Sequence, residues 1–322
     1  MGKGIAVAGS VIVDKINMIK AYPSIGELTQ IKGINRAVGG LVPNVGIDLK
    51  KIDGVLKVYA CGKIGKDEEG VFVKSELSGY GLDVSGLIEH ESIKTSFTDV
   101  MSVMGGERTF FNYAGASAEF GADDVDFNKI DVNMLHLGYF LLLDKVDNGD
   151  GLKILKKAKE KGIKTSIDLV SENSDRYKQV LPCLPFVDNL IINEIEGGNL
   201  AGIEPKKENV RKICEKLKEL GVKDRVIIHL PEFGACLSEK GYMEIPSFDL
   251  PKDYVKGSTG AGDAFCAGSL YGIYKGYSDK EILEFASMCA AVSLRVPDAV
   301  SGVTDEKEIR RLCKKFTRKR IS

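Results

Sequence analysis

Short apolar runs bounded by Gly, Asp or Asn recur along most of this chain, and helical patterns separate them. Segments 5–9, 58–62, 134–138, 165–170, 189–193 and 226–230 are rich in Val, Ile and Leu. Their apolar residues run on without polar alternation, which requires a sheet covered on both faces. Such a sheet is mainly parallel, because the helix in each crossover supplies the cover. The helical stretches 151–161 and 209–220 are closed by Gly162 and Gly221, each suited to a left-handed cap. Two late helices, 262–275 and 279–295, have only the turn 276–278 between them. The pattern predicts a three-layer α/β/α fold around a mainly parallel central sheet.

Two regions break this rhythm. Segments 11–37 and 93–113 hold strand-like stretches at 11–19, 29–34, 95–103 and 108–112 with no helix between them. They are expected to form a small separate sheet inserted into the larger body. The 322 residues suit about two domains or one large α/β unit. No repeat or long linker divides them, so one domain over 1–322 is expected.

Composition removes several function classes. Forty-five Lys and Arg against 46 Asp and Glu leave a net charge of −1, without the basic excess of a duplex-binding protein. No apolar run approaches the roughly 20 residues of a membrane helix. The apolar start at 5–13 is interrupted by Gly9 and Ser10 and ended by Asp14, as a first strand rather than a signal peptide. The basic cluster at 314–320 reads as a solvated helix end, where cations suit the dipole. Seven scattered cysteines without a C-x-x-C pair point to a reduced, cytoplasmic protein. Three histidines, none at ligand spacing, argue against zinc.

The sharpest local signal is Gly257-Ser258-Thr259-Gly260-Ala261-Gly262-Asp263-Ala264-Phe265, which follows a β-like stretch and opens a helix. Small residues at 260–262 permit a tight turn and leave backbone N–H groups bare for a developing anion. Asp263 then falls in the first helical turn, where the dipole favours an ionised carboxylate. A carboxylate beside an anion hole suits proton removal from a hydroxyl during phosphoryl transfer. A plain glycine-rich helix cap fits the same residues equally well. A Rossmann fingerprint fails because Phe265 stands where glycine is needed, and no Walker, G-x-S-x-G or H-E-x-x-H pattern occurs.

Three further motifs flank this one. Gly39-Gly40-Leu41-Val42-Pro43-Asn44 sets a double glycine before a polar residue entering a helix. Gly62-Lys63-Ile64-Gly65-Lys66-Asp67-Glu68-Glu69-Gly70 reads as strand end, turn and helix with Asp67 as N-cap. Asn193-Glu194-Ile195-Glu196 follows a buried strand, at the carboxyl end where α/β sheets bind ligands. Singly, each is ordinary turn or cap chemistry. Together, in this order and from Gly9 and Asp14 onward, they resemble the ribokinase-like, or PfkB-type, carbohydrate kinases nearly end to end.

The resemblance implies a lid sheet, ATP and Mg²⁺ as cofactors, and a small sugar or sugar acid phosphorylated at a primary hydroxyl. Asp263 matches the family's catalytic base, and Gly260, Ala261 and Gly262 its anion hole. Asn193 and Glu196 match the N-x-x-E motif that positions Mg²⁺ and phosphate, largely through water. Asp14, Gly40 and Asn44 match the sugar pocket. Arg108, on the lid, either reaches a charged or polyhydroxylated substrate or is a solvated strand residue. His229 is either a phosphate-side contact, the reading preferred here, or a packed strand-end histidine. Gly234 fits the nucleotide-side glycine pattern, and Ser287 aligns near the adenine pocket. Several relatives dimerise through the lid, which makes a homodimer an expectation here.

Departures narrow the reading. Ile12 and Leu41 stand where ribokinases carry Asn and Lys, which weakens ribose as the substrate. Gly257 replaces an Asp tied to a monovalent-cation site, leaving K⁺ dependence open. Adenosine-type nucleoside kinases share the fold, and Phe97, Phe110, Phe111 and Tyr113 offer stacking surface for a base. A sensor that keeps the fold without catalysis is the remaining rival, although a sensor needs no base.

Overall fold

The computed structural model describes residues 3–103 and 108–320; positions 104–107 of the expected second lid segment lie outside the described residues. The main sheet has nine strands: β1 (Gly4–Ala8), β4 (Val58–Gly65), β5 (Asp83–His90), β8 (Val132–Phe140), β9 (Lys164–Leu169), β10 (Asn189–Asn193), β11 (Arg225–His229), β12 (Phe233–Ser238) and β13 (Gly241–Pro246). Their order is β13-β12-β11-β10-β9-β8-β1-β4-β5. All pairings from β11 to β5 are parallel, while β12 and β13 add an antiparallel hairpin at one edge.

Continuous apolar strands arise here because successive side chains enter two different cores. Ile5 and Val7 pack with one cluster, and Ala6 and Ala8 with the other. The same split separates Ile227 from Val226 and Ile228. Helices α1 (Leu41–Ile52), α7 (Ala261–Lys275) and α8 (Asp279–Ser293) cover the first face through Val45, Leu270 and Phe285. On the second, α4 (Gly151–Glu160) and α6 (Val210–Glu219) contribute Leu155 and Leu217. Gly162 and Gly276 close α4 and α7 with φ of 67° and 75°, the left-handed geometry that glycine adopts without strain. Among the described residues no helix is long and apolar enough to cross a membrane.

The second sheet has four strands in the order β3-β2-β6-β7, with β2 at Ile12–Ile19, β3 at Ile31–Gly39, β6 at Ser96–Val103 and β7 at Arg108–Tyr113. Asp14, Ala37, Thr98 and Asn112 lie opposite one another in one row across it. Its outer strand β7 is exposed at all six positions.

The basic cluster at 314–320 matches the expectation of a solvated helix end at exposed Lys314, the C-cap of α9 (Glu306–Cys313), and Lys315, and corrects it beyond them. Helix α9 stops before the cluster, and the chain then runs extended across residues 246–249. Asp249 N–H donates to Thr317 O at 2.9 Å and Lys319 N–H to Ser247 O at 2.8 Å. Arg318 is half-buried, its guanidinium 4.1 Å from the Phe248 ring centroid. Backbone pairing and this stacked contact decide the path, rather than the helix dipole.

Candidate active site

Strand order reverses between β1 and β8, whose connections leave in opposite directions, and a crevice opens outside their carboxyl ends. Helix α1 enters this crevice. Gly40 precedes it with φ of 86°, and a Cβ there would lie 2.9 Å from Ser10 O. Having no side chain, Gly40 leaves capping to Ser10, whose Oγ accepts from Leu41 N–H at 3.0 Å. One turn into α1, buried Asn44 faces the start of α7.

The turn into α7 is built around glycine. Gly260 has φ of 77°, and a Cβ there would sit 2.6 Å from both Cα and O of Ala299. Gly257 also backs closely on Pro297, where a Cβ would lie 2.9 Å from its Cα. Gly260, Ala261 and Gly262 thus present backbone at the helix end, although Ala261 N–H donates to Ser258 O at 3.2 Å in this state. The first-turn N–H groups have no intrahelical acceptor.

Asp263 lies in that first turn, buried, with both carboxylate oxygens engaged. Asn44 Nδ2 donates to Oδ2 at 2.9 Å, and Tyr139 O–H lies 3.1 Å from Oδ1 and 3.0 Å from Oδ2. Burial first, and then the charge of Asp168, push its pKa up to about 7, against the two hydrogen bonds that lower it. Burial is thus the largest influence on this carboxyl, at a helix end whose dipole favours the ionised form.

Tyr139 reaches Asp263 from a strained position. It and Leu141 are the non-glycine residues with positive φ among those described, at 57° and 77°. The irregular carboxyl end of β8 also turns Tyr139 N–H onto Asp168 Oδ1 at 2.5 Å. Neither Tyr139 nor Asp168 belongs to any motif singled out from the sequence.

At the ends of the next strands, Asn193 caps α5 (Glu194–Ala201) reciprocally with Glu196. Asn193 Oδ1 accepts from Glu196 N–H at 2.9 Å, and Glu196 Oε2 from Asn193 N–H at 3.1 Å. Ser171 O–H donates to Glu196 Oε1 at 2.8 Å. Burial pushes the Glu196 carboxyl up to about 8. His229, ending β11, stacks 4.9 Å from the Phe265 ring and lies over Gly262. Desolvation holds its pKa down near 4, so the imidazole is neutral.

Two cavities meet at these residues. The smaller, about 290 Å³, is lined by Tyr139, Asp168, Glu196, Gly260 and Asp263 among others. The larger, about 680 Å³, is mainly apolar, with Phe248, Val255, Ala290, Leu294 and Ser287 in its wall. Asn193, His229 and Gly262 line both. Lys319, from the extended strap, also borders the larger one.

Three of the expected residues lie elsewhere. Gly234 is buried behind Phe265, where a Cβ would stand 3.1 Å from the ring, and lines neither cavity. Asp14 is half-buried on β2 against Gly39, and burial raises its carboxyl. Arg108 is exposed, opposite Ser102 and four positions from the Asp14 row, about 13 Å along the strands. The structure does not bring it to Asp14.

A sequence model of the pfkB family carbohydrate kinases matches residues 3–306. The chain belongs to this family. It is 24% identical over 313 residues to a ribokinase of Arabidopsis thaliana, covering 96% of this chain and 81% of that protein. Identity is also 24%, over 277 residues, to a 5-dehydro-2-deoxygluconokinase of Clostridium perfringens, covering 82% and 80%. The solved structure of the Arabidopsis ribokinase complexed with ribose and ATP superposes with a TM-score of 0.82 at 23% identity, covering 98% of this chain and all of that one. This carbohydrate kinase therefore has the ribokinase fold, with a nine-stranded sheet in the body and four strands beside it.

The residues that sequence reasoning missed are those that topology supplies. Asp168 is the penultimate residue of β9, where Asn193 ends β10 and His229 ends β11, and a systematic reading of strand carboxyl ends would have reached it. Tyr139, penultimate in β8, stands at the same end of the sheet, but the positive φ that turns it onto Asp263 has no mark in the sequence.

Proposed function

We propose that this kinase transfers the γ-phosphoryl group of ATP to a hydroxyl, most naturally a primary one, of a small sugar or sugar acid, with Asp263 as base. One observation carries the reading. A buried carboxylate with its pKa raised to about 7 stands at a helix N-terminus, where an acceptor-sized cavity joins a larger apolar one. Such a base is matched to neutral pH, where proton removal is most efficient.

In the proposed step Asp263 takes the hydroxyl proton as the substrate oxygen bonds to the γ-phosphorus. The bond from phosphorus to the bridging oxygen breaks, and ADP leaves. Asn44 and Tyr139 orient the carboxylate, and N–H groups of 260–262 face the charge that develops on the phosphoryl oxygens. The larger cavity takes the nucleotide, its apolar wall suited to a purine, with Ser287 as a polar contact and neutral His229 at the phosphate side. Gly40 and Asn44, at the entry of α1, border the acceptor, and closure of the small sheet brings Asp14 to it and excludes water. Arg108 joins the acceptor only if that closure brings its strand inward. Exposed Ile34 and Phe111, two rows apart on one face, give the same sheet an apolar surface for pairing two copies.

The residues suit Mg²⁺. Asp168, Glu196 and Asp263 line the smaller cavity with no Lys or Arg among its lining residues, a deficit of positive charge that a hard dication corrects. Asn193 and Glu196 are held by their mutual cap, so they would hold the ion largely through water. When bound, Mg²⁺ neutralises phosphate charge. Gly257 offers no carboxylate to a monovalent ion.

The test is ADP release from Mg-ATP across pentoses, hexoses, keto-deoxy acids and nucleosides, with Asp263→Asn as control. A sugar-dependent signal that the variant loses is expected. Turnover confined to nucleosides would move the assignment to a nucleoside kinase. Silence across the panel with intact ATP binding would favour the sensor.

A further inference from the structure

Behind the smaller cavity, His136 on β8, Asp168 at the end of β9 and Cys266 on α7 meet in the protein interior, all three buried. His136 Nε2 lies 3.3 Å from Asp168 Oδ2 and 3.4 Å from Cys266 Sγ. The three potential ligand atoms are within 4.8 Å of one another.

Ser166 Oγ lies 2.9 Å from His136 Nδ1 and 3.2 Å from Leu135 O, so its one proton can go to either. Where it goes to Leu135 O, the imidazole proton sits on Nδ1 and the Nε2 lone pair faces both Asp168 Oδ2 and Cys266 Sγ. A metal at Nε2 selects that tautomer, and nitrogen, oxygen and sulfur donors then converge on one point.

The donor set selects which cation. Imidazole nitrogen, thiol sulfur and one carboxylate oxygen suit a borderline-soft metal and not Mg²⁺. Ordinary zinc bond lengths in a tetrahedron give ligand separations of about 3.4 Å for N···O and about 3.6 Å for N···S. The spacings here are close to both. The outer contacts are those of a metal-ligating histidine and carboxylate: Nδ1–H on Ser166, and Asp168 Oδ1 held by Tyr139 N–H. Linear spacing argues against such a site, because positions 136, 168 and 266 form no motif; the sheet order and α7 assemble it.

We propose that His136, Asp168 and Cys266 bind a soft divalent transition-metal ion, with the fourth position open to the cavity that holds Asp263. Burial and the neighbouring carboxylates keep the Cys266 thiol protonated in the metal-free protein. Binding therefore displaces that proton to solvent as the metal–sulfur bond forms. An ion at this position stands against the acceptor cavity, so its occupancy inhibits turnover. This site is independent of the kinase reading.

The experiment is titration of chelator-treated full-length protein with Co²⁺, followed by absorbance, with Zn²⁺ as competitor. One equivalent is expected to produce thiolate-to-cobalt charge transfer with tetrahedral d–d bands, released by Zn²⁺ and unaffected by excess Mg²⁺. Cys266→Ala is expected to abolish the charge-transfer band, and His136→Gln and Asp168→Asn to weaken affinity at least tenfold. Zn²⁺ is also expected to raise the thermal midpoint of the parent protein and not that of folded Cys266→Ala. Absence of the band in the parent, or its persistence in Cys266→Ala, overturns the site. Both readouts are independent of turnover, so neither result bears on the kinase assignment.

Discussion

The two sheets of this kinase hold their side chains in opposite ways. Every residue of β1 is buried, and its side chains enter two cores in turn; β7, in the small sheet, is exposed at every position. The groups converging on Asp263 come from the large sheet and the helices packed on it. Asn44, Tyr139 and Asp168 are each fixed by backbone or buried side-chain contacts. Asp14 stands on the small sheet with only one side enclosed. On the proposed function, chemistry that needs fixed distances sits on the first kind of scaffold, and recognition that needs movement on the second.

The largest expected effect tests the rigid side. Asp263→Asn is expected to lower kcat on the order of 10³-fold while nucleotide binding survives. The same change is expected to stabilise the fold. The carboxyl's folded pKa, about 7, lies above its unfolded value, so ionisation opposes folding. That destabilisation grows as pH rises from about 4 to about 7 and is complete above, worth up to about 4 kcal/mol. A higher melting temperature for the variant at pH 8, with lost turnover, checks both halves. In the parent enzyme the same pKa sets an acid limb: kcat/KM is expected to fall about tenfold per pH unit below pH 7.

An intermediate effect tests the mobile side. Asp14→Ala is expected to raise the KM for the sugar roughly 10- to 100-fold, the worth of one or two hydrogen bonds to a charged group. ATP affinity, measured separately by titration, should stay within experimental error. A matching loss of ATP affinity would show that the two sheets are not independent.

The smallest effect concerns the outer surface of the small sheet. Phe111→Ser with Ile34→Ser is expected to change stability by less than about 0.5 kcal/mol per site. If two copies pair through this surface, the double variant shifts to monomer in sedimentation. An unchanged sedimentation coefficient in a dimeric protein would move the interface elsewhere.

What the sequence disclosed follows the same division. Strand positions within the large sheet were legible to within a few residues, because two-sided burial writes a continuous apolar run. The glycine turn at 257–262 was legible because Gly260 must avoid Ala299 and adopt a positive φ at once. Strands β5, β12 and β13 were not: β5 and β13 are the sheet edges and bury few of their residues, and β12, paired on both sides, has its apolar run broken by Gly234. Tyr139 and Asp263 are 124 positions apart, and nothing local to either signals the contact. Gly234 shows the opposite failure: a position matched by pattern that the fold spends on making room for Phe265.

Asn193, His229 and Gly262 form a party wall between two rooms of one house. Whoever redesigns one occupant by altering that wall also alters the other's quarters. On the proposed assignment of the two cavities, acceptor preference is best re-engineered from the opposite side, at Asp14 and its row on the small sheet, where no residue also lines the larger cavity.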